Sequence, residues 1–415
     1  MKLKFLTKEQ IKKIASDFNT PAFVYSEREL KKAAQLFLDF PNAFGLTIRY
    51  AMKASPNKNI LGIFNNMWIH IDASSEHEII RAINAWIPAE NIQLTAQELT
   101  KNKQKILNSW IMFNATSLHQ LEEYWKTRPW TEVSIRINPW LGSGWTNKTN
   151  VWWPASSFGI WYEYIDKIIA IAKEYNLKIT KLHTHIWSGS DPLVWAKVSK
   201  MSLDMVSNFP LVHTLNLWWG FKIWRMPEEN TADLQVLWME VKKHFEEYYE
   251  NTWRKIHLEL EPWTYLVANN CSLICEIQDI CDTWKEGYNF IKVNSWMTEI
   301  TRPSLYWSQH PLFVINDSDE KMDYIVAWHC CESWDIWTPA DWDPEGLLPR
   351  ELNKANIWDS FVIDSVWAYC SSMSTKNYNS FPEVSELLIR ENLEIVEIRK
   401  RQVVEDIWRN EVWVV

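Results

Sequence analysis

Glycine is what this chain lacks. Nine glycines occur in 415 residues, where an average usage of about 7% would place roughly 29. Tryptophan is in excess by a similar margin, with 29 residues. The runs "NLWWGF", "LEPWTYLV", "CESWD" and "HIWSG" each become a familiar glycine-containing motif once Trp is read as Gly. Glycine serves where φ is positive or where backbone closes on a ligand, and the bulkiest side chain can do neither. A gene whose UGA codons specify glycine, translated with a table that reads UGA as tryptophan, accounts for both counts. The nine printed glycines then come from GGN codons. The alternative is a chain that is tryptophan-rich in fact, and Trp161 and Trp337 are read as candidates for genuine tryptophan.

Other absences narrow the class. No window approaches 18 uncharged apolar residues, so no membrane-spanning helix is expected. The N-terminal run "MKLKFLTKEQIKKIASDF" is charged and amphipathic, without an apolar h-region or a small-residue cleavage site. The net charge of −9 speaks against a nucleic-acid surface and for a small-molecule substrate. The six cysteines (Cys271, Cys275, Cys281, Cys330, Cys331 and Cys370) form no CxxC pair and no ligand-like spacing with His. Neither a disulfide framework nor a metal site is expected, and reduced thiols point to the cytoplasm. Apolar residues at 47% and charged ones at 23% suffice for a sizeable core. The length suggests two domains.

From residue 22 to 265, short apolar runs alternate with amphipathic stretches. "AFVYS", "TIRYAMK", "IHIDAS", "NIQLTA", "IMFNAT", "VSIRINP", "KITKLHTHI", "HTLNLWW" and "IHLELEP" read as strands. "SEHEIIRAINAW", "SLHQLEEYWK", "YEYIDKIIAIAKEYN" and "TADLQVLWMEVKKHFEEYYE" read as helices. Such alternation predicts parallel α/β architecture, and its length suits a (β/α)8 barrel over residues 22–265, with a doubly wound open sheet as the alternative. From 266 to 415 the runs are strand-like, with turn signals and few helices. They predict a β-rich, Greek-key-like β-barrel domain on which residues 1–21 pack.

"RYAMKASPN" places Lys53 at the end of an early strand, where a lysine alone could simply be solvated. "HTHIWSGSD", "NLWWGF" and "ELEPWTYLV" follow in order, each at the end of a predicted strand. The run at 218–220, read as three glycines, would turn backbone N–H groups toward a phosphate. Together the set supplies a lysine to bond an aldehyde, a phosphate cradle, a ring-facing His and a carboxylate for a pyridinium nitrogen. Those are the parts that pyridoxal phosphate needs.

The chain resembles the barrel-type, alanine racemase-like pyridoxal phosphate decarboxylases from about Thr20 to the C-terminus. The motifs that carry the resemblance are "YAMKASPN", "IDASSEHE", "RINP", "SSFGI", "HIWSG", "WWGF", "EPWT", "MTEITRPSLY", "CCESWD", "VWAYCSSM" and "NYNS". The resemblance implies pyridoxal 5'-phosphate bonded to Lys53, with His185 stacked on its ring. It implies Ser188, Trp219 (read as Gly) and Gly220 at the phosphate, and Glu261 at the pyridine nitrogen. Asp72, Glu78 and Arg136 match the polar network beneath the cofactor. Arg302 and Tyr306 match contacts to a substrate carboxylate, and Glu332 the contact to its distal amine. Cys331 matches the general acid, and Tyr369 a residue at cofactor and substrate. Plainer readings stand beside these: His185 a core histidine, Cys331 a buried structural thiol, Arg302 a surface ion-pair partner. Cys271, Cys275 and Cys281 are assigned to packing of the β-rich domain.

One departure survives any restoration of glycine. Thr264 of "EPWT" stands where the family has an arginine at substrate or phosphate, and a hydroxyl brings neither charge nor a bidentate fork. Ser157 likewise stands where many relatives have lysine. The reaction implied is decarboxylation of meso-2,6-diaminopimelate at its D-centre to L-lysine and CO2. It would run in a homodimer whose Cys331 and Glu332 reach the partner's site. The alternatives are decarboxylation of another amino acid (ornithine, a polyamine precursor or a carrier-linked amino acid) or a catalytically dead regulatory homologue.

Overall fold

The computed structural model describes residues 2–99, 103–107, 109–139, 157–186, 192–219, 224–226, 234–327, 329–330, 332, 336–341, 343–366 and 368–414. The chain divides into two units. One comprises Lys31–Ile223 and Asn230–Leu266; the other comprises Met1–Leu30, Trp224–Glu229 and Val267–Val415.

The first unit is a closed parallel barrel. After β1 (Ala22–Ser26), the chain forms β2 (Leu46–Ala51), β3 (His70–Ala73), β4 (Ile92–Leu94), β5 (Met112–Ala115) and β6 (Glu132–Asn138). The two-residue β7 (Ile160–Trp161), β8 (Lys178–Ile186), β9 (Thr214–Trp219) and β10 (His257–Leu260) follow. Parallel pairs run β5-β4-β3-β2-β10-β9-β8-β6, and a β5–β6 pairing closes the ring at eight strands, with β7 appended to β6. This is the expected barrel rather than the open sheet. The intervening helices start where polar caps precede apolar periodicity. Ser75 caps Glu76–Asn84 by accepting from the Glu78 amide, and Ser117 caps Leu118–Thr127 through the Gln120 amide.

The second unit is rich in sheet. Its strands are β1, β11 (Cys271–Asp282), β12 (Asn289–Val293), β13 (Leu312–Ile315), β14 (Lys321–Ala327), β15 (Pro339–Ala340), β16 (Asp343–Leu347), β17 (Arg350–Asn353), β18 (Ser360–Asp364), β19 (Ser385–Ile389) and β20 (Ile395–Arg399). Nine of them form one sheet ordered β17-β14-β12-β11-β1-β19-β20, with β18 on β11 and β13 on β18; β15 and β16 pair separately. β1, read from its pattern as the first strand of the alternating run, pairs instead antiparallel with β11 and parallel with β19. The helix Lys8–Phe18 carries a capping box between Thr7 and Gln10. Its Ile11 and Ile14 join Ala22, Val24, Ile274, Val362 and Leu387 in one apolar cluster. Cys271 and Cys275 pack in β11 as expected, but Cys281 is exposed because β11 runs past its buried half.

The backbone bears directly on the tryptophans. Trp68, Trp86, Trp110, Trp130, Trp253, Trp284, Trp307 and Trp358 all have φ between 53° and 72°. These eight make up half of the sixteen non-glycine residues with positive φ among the described residues, a region disfavoured for bulky L-residues. Two of them sit in Schellman motifs. After Lys58–Asn66, the Trp68 amide donates to Asn65 O and the Ile69 amide to Phe64 O, each at 3.0 Å. After Glu76–Asn84, the Trp86 amide donates to Ile83 O at 2.9 Å and the Ile87 amide to Ala82 O at 3.1 Å. This left-handed position is the usual home of glycine. Both indoles stand in solvent, 81% and 91% exposed. Trp337 is the opposite case: fully buried, with its indole N–H donating to Ser295 O.

Candidate active site

In a parallel barrel, chemistry gathers at the C-terminal strand ends, and six of the residues singled out from the sequence come together there. Lys53 follows β2, Asp72 lies in β3, Arg136 in β6, His185 near the end of β8, and Glu261 directly after β10; Glu78 belongs to the helix after β3. Desolvation lowers the Lys53 ammonium below the usual lysine range, with Arg136 adding to the shift and Asp72, Glu78 and Glu261 resisting it. The amine is therefore easier to deprotonate than a solvated lysine.

The partners have definite proton states. Arg136, itself lowered to about 10 by desolvation, donates from Nη2 to His185 Nδ1 at 2.5 Å. Because arginine can only donate, Nδ1 is the acceptor and the neutral ring carries its proton on Nε2. Burial, then Arg136 and Lys53, holds His185 well below the usual histidine range. Burial raises Asp72, whose Oδ1 accepts from Thr95 Oγ1 at 2.7 Å and Gln93 Nε2 at 3.0 Å. Burial and Asp72 push Glu261 well above the carboxylate range. Glu78 Oε2 accepts from the Ser74 amide at 2.7 Å.

Beneath these groups lies a network that the sequence reading missed. Arg49 grips Glu259 Oε1 through Nε at 3.2 Å and Nη2 at 2.9 Å, and Lys181 pairs with Glu259 Oε2. Lys181 Nζ also donates to Gln93 Oε1 at 2.5 Å, across the barrel from β8 to β4. Asn216 Nδ2 donates to Glu259 Oε2 at 3.0 Å and to Glu261 Oε1 at 2.6 Å. The available signal was a lone polar residue inside an apolar strand, as in "NIQLTA", "HTLNLWW" and "HLEL".

The remaining expected residues are placed as follows. Thr264 is half-buried in the short helix Trp263–Val267. Trp219 is the last residue of β9, paired with Ile186. Arg302, Tyr306, Glu332 and Tyr369 belong to the sheet-rich unit. There Arg302 lies 5.6 Å from the Tyr306 ring centroid and donates to Ser308 Oγ, while Tyr378 donates to Glu332. Tyr369 holds a left-handed φ of 58°. Ser188, Gly220 and Cys331 lie outside the described residues.

The donor set fits pyridoxal phosphate. Lys53 offers an amine with a lowered proton affinity. Glu261 is a buried carboxyl hydrogen-bonded by two amides and in no ion pair among the described residues. An isolated buried carboxyl is costly, and a basic ring nitrogen is the partner that relieves it. A closed parallel barrel with such a lysine and carboxyl at its strand ends defines the class of barrel-type pyridoxal enzymes. Residues 28–268 match the pyridoxal binding domain of the pyridoxal-dependent decarboxylases, more than half of the chain, and the chain belongs to that family. Within it, the chain is 32% identical to diaminopimelate decarboxylase of Buchnera aphidicola subsp. Acyrthosiphon pisum, over 97% of this chain and 96% of that one. The Streptomyces coelicolor diaminopimelate decarboxylase is 28% identical over 95% and 89%. A crystal structure of diaminopimelate decarboxylase superposes with a TM-score of 0.89 at 25% identity, covering 97% and 96%. The Helicobacter pylori enzyme complexed with L-lysine gives 0.84 at 25% identity, covering 96% and 98%.

Proposed function

We propose that this chain decarboxylates meso-2,6-diaminopimelate to L-lysine and CO2. The observation that carries the reading is full-length similarity to diaminopimelate decarboxylases together with the Lys53–Asp72–Glu261 cluster at the barrel mouth. When bound, pyridoxal phosphate supplies an electron sink for the breaking Cα–carboxylate bond. Lys53 would hold the cofactor's aldehyde carbon. Glu261 would share a proton with the ring nitrogen, Asp72 keeps that carboxyl's proton affinity high, and Arg136 fixes the His185 ring that would face the cofactor. Ser188 and the backbone at 219 and 220 hold the phosphate. Arg302 and Tyr306 bind a substrate carboxylate, Glu332 binds the distal amine, Tyr369 lines the same place, and Cys331 returns a proton to Cα.

The barrel is the cofactor-binding domain, and the sheet-rich unit carries the substrate contacts. The enzyme works in the cytoplasm as a homodimer that shares Cys331 and Glu332 between protomers; sedimentation analysis tests the dimer. Thr264 favours a second reading, decarboxylation of another amino acid, because it brings no guanidinium to the carboxylate. A competition assay separates the two. Diaminopimelate should exceed L-lysine and L-ornithine by at least about a hundredfold in kcat/KM, and preference for ornithine would establish the second reading.

The native chain carries glycine at most printed tryptophans. Left-handed φ at eight tryptophans supports this, and so do the motif positions 187, 218, 219, 263, 334 and 367. Burial and a satisfied indole N–H support reading Trp337 as genuine tryptophan. A mass spectrum of the native protein should show glycine at the motif positions, and UGG codons there would end the reading.

A further inference from the structure

Lysine can only donate, so the Gln93 atom that faces Lys181 is its carbonyl oxygen. That choice turns the Gln93 NH2 toward Asp72 Oδ1 at 3.0 Å, Thr95 Oγ1 at 3.2 Å and Glu261 Oε1 at 3.4 Å. Asn216 is oriented in the same way by Glu259, which Arg49 and Lys181 keep ionised. The Asn216 NH2 faces Glu259 at 3.0 Å and Glu261 at 2.6 Å, and its buried Oδ1 has no hydrogen-bond partner among the described residues. The two amides therefore converge on one oxygen, Oε1 of Glu261. With two N–H donors on Oε1, the proton that this carboxyl holds or shares belongs on Oε2.

We propose that Gln93 and Asn216 are positioning residues, oriented by the Arg49–Glu259–Lys181 triad, which reserve Oε2 of Glu261 for the cofactor's ring nitrogen. The proposal rests on the pyridoxal reading above. Each amide stabilises the anionic carboxyl and fixes its rotation, so losing one shifts the shared proton from the ring nitrogen toward Glu261. Lys181 and Glu259 act at one remove: they touch neither cofactor nor substrate and serve by denying the amides the flipped orientation. Arg49 and Glu259 would still pair one-to-one without Lys181, so Lys181→Met leaves no unpaired charge and the barrel should survive it.

The test uses the full chain with glycine at its recoded positions. Stripped protein is titrated with pyridoxal phosphate, and the visible absorbance of the loaded protein is followed against pH. Gln93→Leu and Asn216→Leu should each weaken cofactor binding about tenfold, lower kcat about tenfold with KM nearly constant, and move the spectral pH midpoint. Lys181→Met should move the same readouts in the same direction by less, and Gln93→Glu, keeping one acceptor for Lys181 but no donor, should not rescue. Tyr124→Phe is the control: its hydroxyl donates to the Glu132 carbonyl at 2.7 Å, at the start of β6 and so at the opposite strand end from Glu261, so it should cost stability and leave the spectrum alone. A Gln93→Leu protein that loses stability like Tyr124→Phe, with cofactor affinity and spectral midpoint intact, would overturn the proposal. If the unsubstituted protein bound no pyridoxal phosphate, the functional reading itself would fall, a distinct result.

Discussion

The barrel buries Arg49, Gln93, Lys181, Asn216 and Glu259 on five of its strands, whereas β1, β11 and β18 of the other unit bury Val24, Ile274 and Val362 in an apolar cluster. The sheet-rich unit has buried polar groups too, such as Ser272 on β11, which donates to Asp364 on the neighbouring β18 at 2.8 Å. In the barrel neighbouring strands pair as well, Asn216 on β9 with Glu259 on β10, but Lys181 on β8 also reaches across the interior to Gln93 on β4. Apolar packing needs only shape and volume. A crossing polar network needs every member satisfied, so it is retained where chemistry requires an oriented carboxyl or amine.

The sharpest break between the units should come from the desolvated amine beside Asp72 and Glu261. Lys53→Ala should abolish cofactor absorbance and lower turnover by several orders of magnitude, since proximity alone supplies roughly 7–11 kcal/mol in such reactions. Thermal unfolding of the apo-protein should hardly change. Full activity in Lys53→Ala would remove the barrel's claim to the chemistry.

Next come the two cores. Glu259→Leu leaves Arg49 and Lys181 as buried cations without their carboxylate and should cost about 3–5 kcal/mol. Ile274→Ala in the other unit should cost a comparable amount, about 2–5 kcal/mol, by opening a cavity. The difference lies in rescue. Replacing Arg49, Lys181 and Glu259 together by apolar residues should restore much of the stability but not cofactor affinity, because Gln93 and Asn216 lose their orientation. Denaturant titration beside cofactor titration separates the two quantities.

Two buried glutamates, one in each unit, should respond to pH with opposite sign. Glu299, in the sheet-rich unit, is raised to about 7 by burial, against the pull of the Trp296 amide and the Thr298 hydroxyl. Its folded state binds the proton more tightly than its unfolded state. Its contribution is thus full below the ordinary glutamate value and lost as pH rises through about 7. Burial also pushes Glu259 upward, but Arg49 and Lys181 outweigh it and hold that carboxyl far below the ordinary range. Its contribution is present at neutral pH and lost only in acid. Glu299→Gln should therefore flatten the stability profile between about pH 5 and 8, by on the order of 3 kcal/mol at the alkaline end. An unchanged profile would mean that Glu299 ionises without penalty.

The same contrast explains what could be read from the sequence. Lys53 and Glu261 were legible because each follows its strand within a motif. The barrel was legible because apolar runs alternate with capped helices such as the one Ser75 begins. Gln93 and Lys181 were not, because they meet across 88 residues and a closed ring, and no local spacing encodes that meeting. β1 was grouped with the wrong sheet for a related reason. "AFVYS" is an apolar run buried at all five positions, and such a run looks alike in either sheet until its partners are known. Cys281 was misjudged because burial along β11 stops partway.

The smallest expected effect is one for which the two units should not differ at all. Trp86 belongs to the barrel unit and Trp358 to the sheet-rich unit. They are 91% and 67% exposed, with φ of 61° and 72°. Neither indole has packing to lose, so what remains is the left-handed backbone, which costs an L-residue roughly 1–2 kcal/mol. Glycine removes that strain but loses about 0.5–1 kcal/mol to the greater freedom of its unfolded chain. In the chain made with tryptophan, Trp86→Gly and Trp358→Gly should each therefore stabilise by about 1 kcal/mol or less, equally in both units. Trp337→Gly should do the reverse, because a buried ring and its hydrogen bond to Ser295 are lost, at about 3–5 kcal/mol or more. Paired denaturant curves decide it. A loss of stability on Trp86→Gly would show that tryptophan belongs at that turn, whereas a gain at 86 and 358 beside a loss at 337 would sort recoded positions from genuine ones by backbone strain alone.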